Sequence, residues 1–155
     1  MTAHEESLGA ADGLTARGDG TFAVTTAEFE AVARPTGEGC RVVCDLPSLD
    51  AAVAGESVGD AVREGWFETL QLRLGDVEGL ADRAEVGAPT VRREGTSVVV
   101  ETTVRGPADA VAAAVTTVVG FVEGTWFQGV VPGYDYVPAV AAMRERAHRQ
   151  GTTPD

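Results

Sequence analysis

Lysine is absent from this chain of 155 residues: all twelve positive charges are arginines, set against twenty-four carboxylates, for a net charge of −12. A chain of this length ordinarily carries on the order of nine lysines. Their absence excludes Schiff-base and pyridoxal-phosphate attachment and the Walker A phosphate loop. Cysteine is scarce too. Cys40 and Cys44 lie four apart in what reads as a strand. That spacing puts their Cα atoms roughly 13 Å apart on one sheet face, beyond disulfide reach. His4 and His148 stand at opposite ends of the chain, so no cysteine–histidine metal site is expected. Long apolar runs are lacking as well. The longest, Ala110 to Val122, spans thirteen residues broken by Thr116, Thr117 and Gly120, too short for a bilayer. The first residues lack the basic and apolar regions of a signal peptide. A soluble, cytoplasmic protein is expected.

The missing lysine and the doubled acids point to one solvent. An ammonium is a strongly hydrated point charge on an apolar stem, whereas guanidinium is planar and weakly hydrated. Where water is scarce, carboxylates hold hydrated cations at the surface while lysine stems only add apolar area. Self-repulsion at −12 would destabilise a compact state, but at about 1 M salt the Debye length is about 3 Å. The chain therefore reads as a halophile's protein. Its acidity then names no partner, and it argues against nucleic acid.

Length and composition suit a single domain over residues 1–150, with a disordered tail at 151–155. Residues 5 to 16 read as a weak helix through Leu8, Ala11 and Leu14. Phe22–Thr26, Glu28–Arg34 and Cys40–Leu46 read as a three-stranded meander. Cys40, Val42, Cys44 and Leu46 form its core-facing row. Ser57 and Asp60 give a capping-box pattern, followed by a stripe of Val58, Val62, Trp66, Leu70 and Leu74. Glu94-Gly-Thr96 marks a hairpin between Thr90–Arg93 and Ser97–Arg105. A nearly apolar helix at about 107–123 follows, with a narrow wet face of Asp109, Thr116, Thr117 and Glu123. Gly124 to Tyr136 reads as an aromatic loop, and Pro138 to Arg149 as a last helix. The order α-β-β-β-α-β-β-α-α gives an α+β class, an antiparallel sheet of about five strands with helices packed on it. In element order alone it resembles the secretion-chaperone-like fold.

Few motifs carry chemistry. Gly55-Glu-Ser57-Val-Gly59 matches the nucleophile-elbow pattern, but no alternating strand leads into it. Ser57 reads better as a helix cap. Gly37-Glu-Gly39 precedes a strand and lacks a third glycine, so it reads as a turn. The candidate site is aromatic: Trp126, Phe127, Tyr134 and Tyr136 with Asp135 between the tyrosines, and Trp66 as a second wall. Amphipathic rings of this kind line a ligand pocket, meet a partner, or close the core.

Glu64-Gly-Trp-Phe-Glu-Thr-Leu-Gln-Leu-Arg-Leu-Gly-Asp-Val77 and Val122-Glu-Gly-Thr-Trp-Phe-Gln-Gly-Val-Val-Pro-Gly-Tyr-Asp-Tyr136 resemble an uncharacterised haloarchaeal family of unknown function, over residues from about 20 to 145. The resemblance implies no activity, cofactor or catalytic residue. Together these readings predict a non-enzymatic interaction module, a homodimer covering the apolar 107–123 helix. No cofactor, nucleic acid or membrane is expected. The rival is a small-molecule binder or small enzyme using loop 124–136.

Overall fold

Alternation along two nine-residue strands organises the molecule. In the computed structural model, which describes residues 2–129 and 135–152, β4 (Gly39–Pro47) pairs antiparallel with β7 (Ser97–Arg105). Cys40, Val42, Cys44 and Leu46 face Val104, Thr102, Val100 and Val98 across the pair, and none is more than 5% exposed. The row predicted around the cysteines is thus the floor of the core. Both thiols are free, and burial pushes each up to about 12.

The sheet extends from β4 through β3 (Glu30–Pro35), β2 (Phe22–Val24) and β1 (Leu14–Ala16), every neighbour antiparallel. On the far side of β7, β5 (Glu85–Val86) and β6 (Thr90–Glu94) share one edge. Gly87 separates them: its N–H bonds the Thr103 carbonyl at 2.9 Å and its carbonyl accepts from the Thr102 hydroxyl at 2.6 Å. A broken edge with Pro89 beside it is poorly suited to recruiting another strand. At the start of β4 the strands approach so closely that a Cβ on Gly39 would meet the Val104 carbonyl oxygen at 1.8 Å.

The helices lie on one face. α1 (Ala3–Ala10), capped by Thr2, packs on α4 (Ala108–Gln128). α4 crosses the sheet and buries Val111, Val115, Val118, Val119 and Val122 at no more than 1% exposure. Each such side chain contributes about 1.5–3 kcal/mol. A short α2 (Leu49–Ala52), capped by Ser48, leads to α3 (Asp60–Leu74), a 3-10 turn over Gly75–Gly79, and the hairpin. α5 (Pro138–Thr152) closes the chain.

The α+β class and most of the element order match the sequence reading. The differences are local. The helix expected over 5–16 ends at Ala10, because Gly13 turns the chain at φ +85° and Leu14 enters the core from a strand instead. Ser57 is exposed and caps nothing. Gly59 precedes α3, and Arg63 holds this entry by bonding the Val58 carbonyl at 3.0 Å, Asp60 at 2.6 Å and Asp50 at 2.6 and 3.1 Å. Within α3, Val62 of the expected stripe is 37% exposed, and Phe67 takes an inward position.

α4 runs to Gln128 rather than stopping at residue 123. At 21 residues it is long and apolar enough to cross a membrane, contrary to the thirteen-residue reading, yet 61% of that stretch is packed inside the chain. Its apolar side is covered by the chain's own sheet, so the expected reason for a dimer, an uncovered helix, does not apply. Of the expected tail, Gly151 and Thr152 belong to α5.

Candidate functional site

The six residues singled out from the sequence do not form one site. Trp126 and Phe127 lie on α4, so the expected loop loses its first five positions to helix. Trp126 is fully buried. Its indole N–H donates to the Pro47 carbonyl at 2.9 Å, and Phe29 meets its ring edge-on at 5.0 Å between centroids. Phe127, half-buried, lines a groove on α4 with Met143 and Arg146. Tyr136 is 8% exposed and bridges Val53, while exposed Asp135 only lends its carbonyl to the Ala54 N–H at 2.7 Å. Tyr134 falls outside the described residues. Trp66 stands apart on α3.

The sequence reading missed Glu123, which it placed on a wet face. Glu123 is 7% exposed. Its two carboxylate oxygens accept the N–H groups of Glu28 and Phe29 at 2.9 and 2.8 Å, fastening the turn before β3 onto α4. Burial raises its pKa, the two N–H bonds pull it down, and the charge of Glu28 raises it; the net direction is up. A perturbed carboxylate beside a groove is a candidate acid–base group, but here both oxygens are occupied by backbone donors. The arrangement is a clamp. Its sequence trace is the spacing Val119-Glu123-Trp126, which puts the acid on the same helix face as buried neighbours.

Two surfaces remain. The first is a groove of about 420 Å³ between α3 and the end of α4, lined by Trp66, Thr69, Arg73, Thr125, Gln128 and Gly129 among others. Trp66 and Thr125 are each 7% exposed. Neither the indole N–H nor the hydroxyl has a hydrogen-bond partner among the described residues. Among the described residues no carboxylate lines this groove, although acids outnumber bases twofold in the chain.

The second is the sheet face away from the helices. The strand register aligns its residues in rungs: Glu30 opposite Asp45, Val32 opposite Val43, Arg34 opposite Arg41. Like charges directly opposite one another destabilise a pair of strands by roughly 0.2–1 kcal/mol. Among the described residues none of these four charged side chains has an ion pair. Val32 and Val43 are half-buried, and neighbouring Val99 is 7% exposed although it lies outside the core. Arg34, Arg41, Arg92 and Arg105 on this face stand against Glu30, Asp45, Glu85, Glu94 and Glu101. That is near parity, in a chain with twelve bases and twenty-four acids.

No group of three or more metal-ligating side chains occurs among the described residues. Neither the curated proteins nor the solved structures compared with the chain match it, so the secretion-chaperone analogy stays one of element order. Residues 10–146 match the family described as a family of unknown function (DUF5813). With that match covering most of its length, the chain belongs to this uncharacterised family.

Proposed function

We propose that the protein is a non-enzymatic, salt-adapted interaction module of the cytosol that acts as a homodimer through its open sheet face. One observation carries the reading: unpaired like-charged rungs flank a half-buried valine rung. On a surface built for water alone, strand neighbours of opposite sign would be paired, as Arg92 is with Glu101 at 3.1 Å on the same face. Here the described residues offer no pairing partner, and the patch is far less acidic than the chain as a whole. Two copies would carry twice the charge of −12, so association needs salt to screen the repulsion. Light scattering in molar KCl should give twice the 16.0 kDa chain mass. A mass of one chain at every protein concentration reached would overturn the reading.

A second reading attaches to the α3–α4 groove, where the Trp66 N–H and Thr125 hydroxyl have no partner among the described residues and are not sealed from solvent, and Arg73 is the charged lining residue. Donors without acceptors, beside apolar walls, suit a small organic carboxylate. Thermal unfolding should then rise with such a ligand, and the rise should vanish in Thr125→Val and Trp66→Phe. No shift across a set of aliphatic and aromatic carboxylates removes this reading.

A further inference from the structure

The open sheet face has a symmetry of its own, and it selects one way for two copies to meet. Along β3 the outward residues run Glu30, Val32, Arg34; along β4, in the opposite direction, they run Arg41, Val43, Asp45. Antiparallel register therefore stacks an acidic rung, an apolar rung and a basic rung at equal spacing.

We infer that two copies pack these faces together about a two-fold axis lying between the sheets along the Val32–Val43 rung. This inference rests on the homodimer reading above and fixes its geometry. Turning one copy about that axis reverses the strand direction and keeps the strand order. Arg34 then lies over Glu30 of the second copy and Arg41 over its Asp45. Each valine lies over its own counterpart, as does Glu101, the next residue of the same rung, whose charge Arg92 meets at 3.1 Å within each copy. All four charges, which have no ion-pair partner among the described residues, gain one, and the valine rung is enclosed between them.

The other in-plane axis, along the strands, would set Glu30 against Asp45 and Arg34 against Arg41. It is excluded by charge. Sheets pack face to face about 10 Å apart and roughly 30° off parallel, a gap that an arginine and a carboxylate side chain can close from both sides. Strand spacings of about 4.8 Å and rises of about 3.3 Å per residue give β3 and β4 about 240 Å² per copy and the whole sheet on the order of 600 Å². Contact over the whole sheet, about 1,200 Å² in total, is at the lower end for a specific interface. The interface is also isologous, as a two-fold dimer requires. The halves of each ion pair come from different copies, so molar salt removes the general repulsion while leaving direct contacts in place.

The test uses the full chain in molar KCl. Arg34→Glu with Arg41→Asp should weaken association by about a hundredfold or more, because it turns all four facing ion pairs into pairs of acids. Adding Glu30→Arg and Asp45→Arg to the same chain should restore it, since the rungs are then merely exchanged. A cysteine at Val32, on the axis, should cross-link two copies through a bis-maleimide able to span roughly 10 Å. A cysteine at Thr117, exposed on α4, should not. Cys40 and Cys44 are 0 and 1% exposed on the opposite face and do not compete. Circular dichroism confirms that each variant is folded. A dimer that is indifferent to the charge reversal and gives no Val32 cross-link overturns this geometry and leaves the dimer standing. A wild type that is monomeric overturns both.

Discussion

Replacing Trp126 with alanine should cost about 3–5 kcal/mol, a large share of the roughly 5–15 kcal/mol that holds a domain of this size. The side chain is the largest among those that are wholly enclosed, so its removal leaves a void that the surrounding sheet and helix cannot close. Two further losses follow. The Pro47 carbonyl, at the end of β4, gives up the indole N–H it accepts at 2.9 Å. Phe29 gives up its edge-on partner, and with it one anchor of the turn into β3. Trp126→Phe keeps most of the volume and loses the N–H, and should cost about 1–2 kcal/mol, mainly for the bond. Urea titrations in molar KCl, followed by far-ultraviolet circular dichroism, measure both. Equal effects of the two variants would mean that the hydrogen bond, not the volume, is what Trp126 supplies.

Glu123→Ala should be nearly as severe, at about 2–4 kcal/mol, because it orphans two backbone donors, those of Glu28 and Phe29. The same residue sets a pH dependence whose sign follows from its raised pKa. Below the ordinary value of 4.5 the group is protonated folded and unfolded alike, and ionisation takes nothing from stability. As pH rises from there through the raised folded value, the unfolded chain releases its proton first, so stability falls. Above the folded value it levels off. Glu123→Gln keeps the shape, abolishes this decline, and leaves one N–H poorly satisfied. The difference between the two stability-versus-pH curves isolates Glu123 from the other carboxylates. Parallel curves would show that its ionisation is not coupled to folding.

Much of the fold was legible because alternation and helical spacing survive in a salt-adapted composition. Cys40-Val42-Cys44-Leu46 and Val98-Val100-Thr102-Val104 alternate cleanly, and they are the two longest strands. The α3 stripe was legible in all but Val62. What failed was local and has local causes. β1 has three residues, too few for a period to show, and it borrows its order from β2. Ser57 offered a cap by composition, but the geometry of Arg63 with Asp50 and Asp60 decided the entry to α3. The end of α4 was hidden because Gly124 and the following aromatics look like a loop, whereas tertiary packing of Trp126 carries the helix onward.

The candidate site was less legible, for a different reason. A cluster of aromatics in sequence says nothing about which side of a helix each will take. Trp126 went to the core, Phe127 to an α4 groove and Tyr136 to a bridge with Val53. The rungs on the open sheet face depend on register between β3 and β4, which the sequence does not state. Once Glu30 is known to oppose Asp45, the like-charge pairing is visible at once.

The most direct measurement of the homodimer through this face is methyl nuclear magnetic resonance in molar KCl, with the protein diluted through its dissociation range. The Val32 and Val43 methyl signals should move with concentration, while those of Val111 and Val115, at 0% exposure behind the sheet, stay fixed. Shifts confined to α4 and α5, with Val32 and Val43 unmoved, would contradict the account.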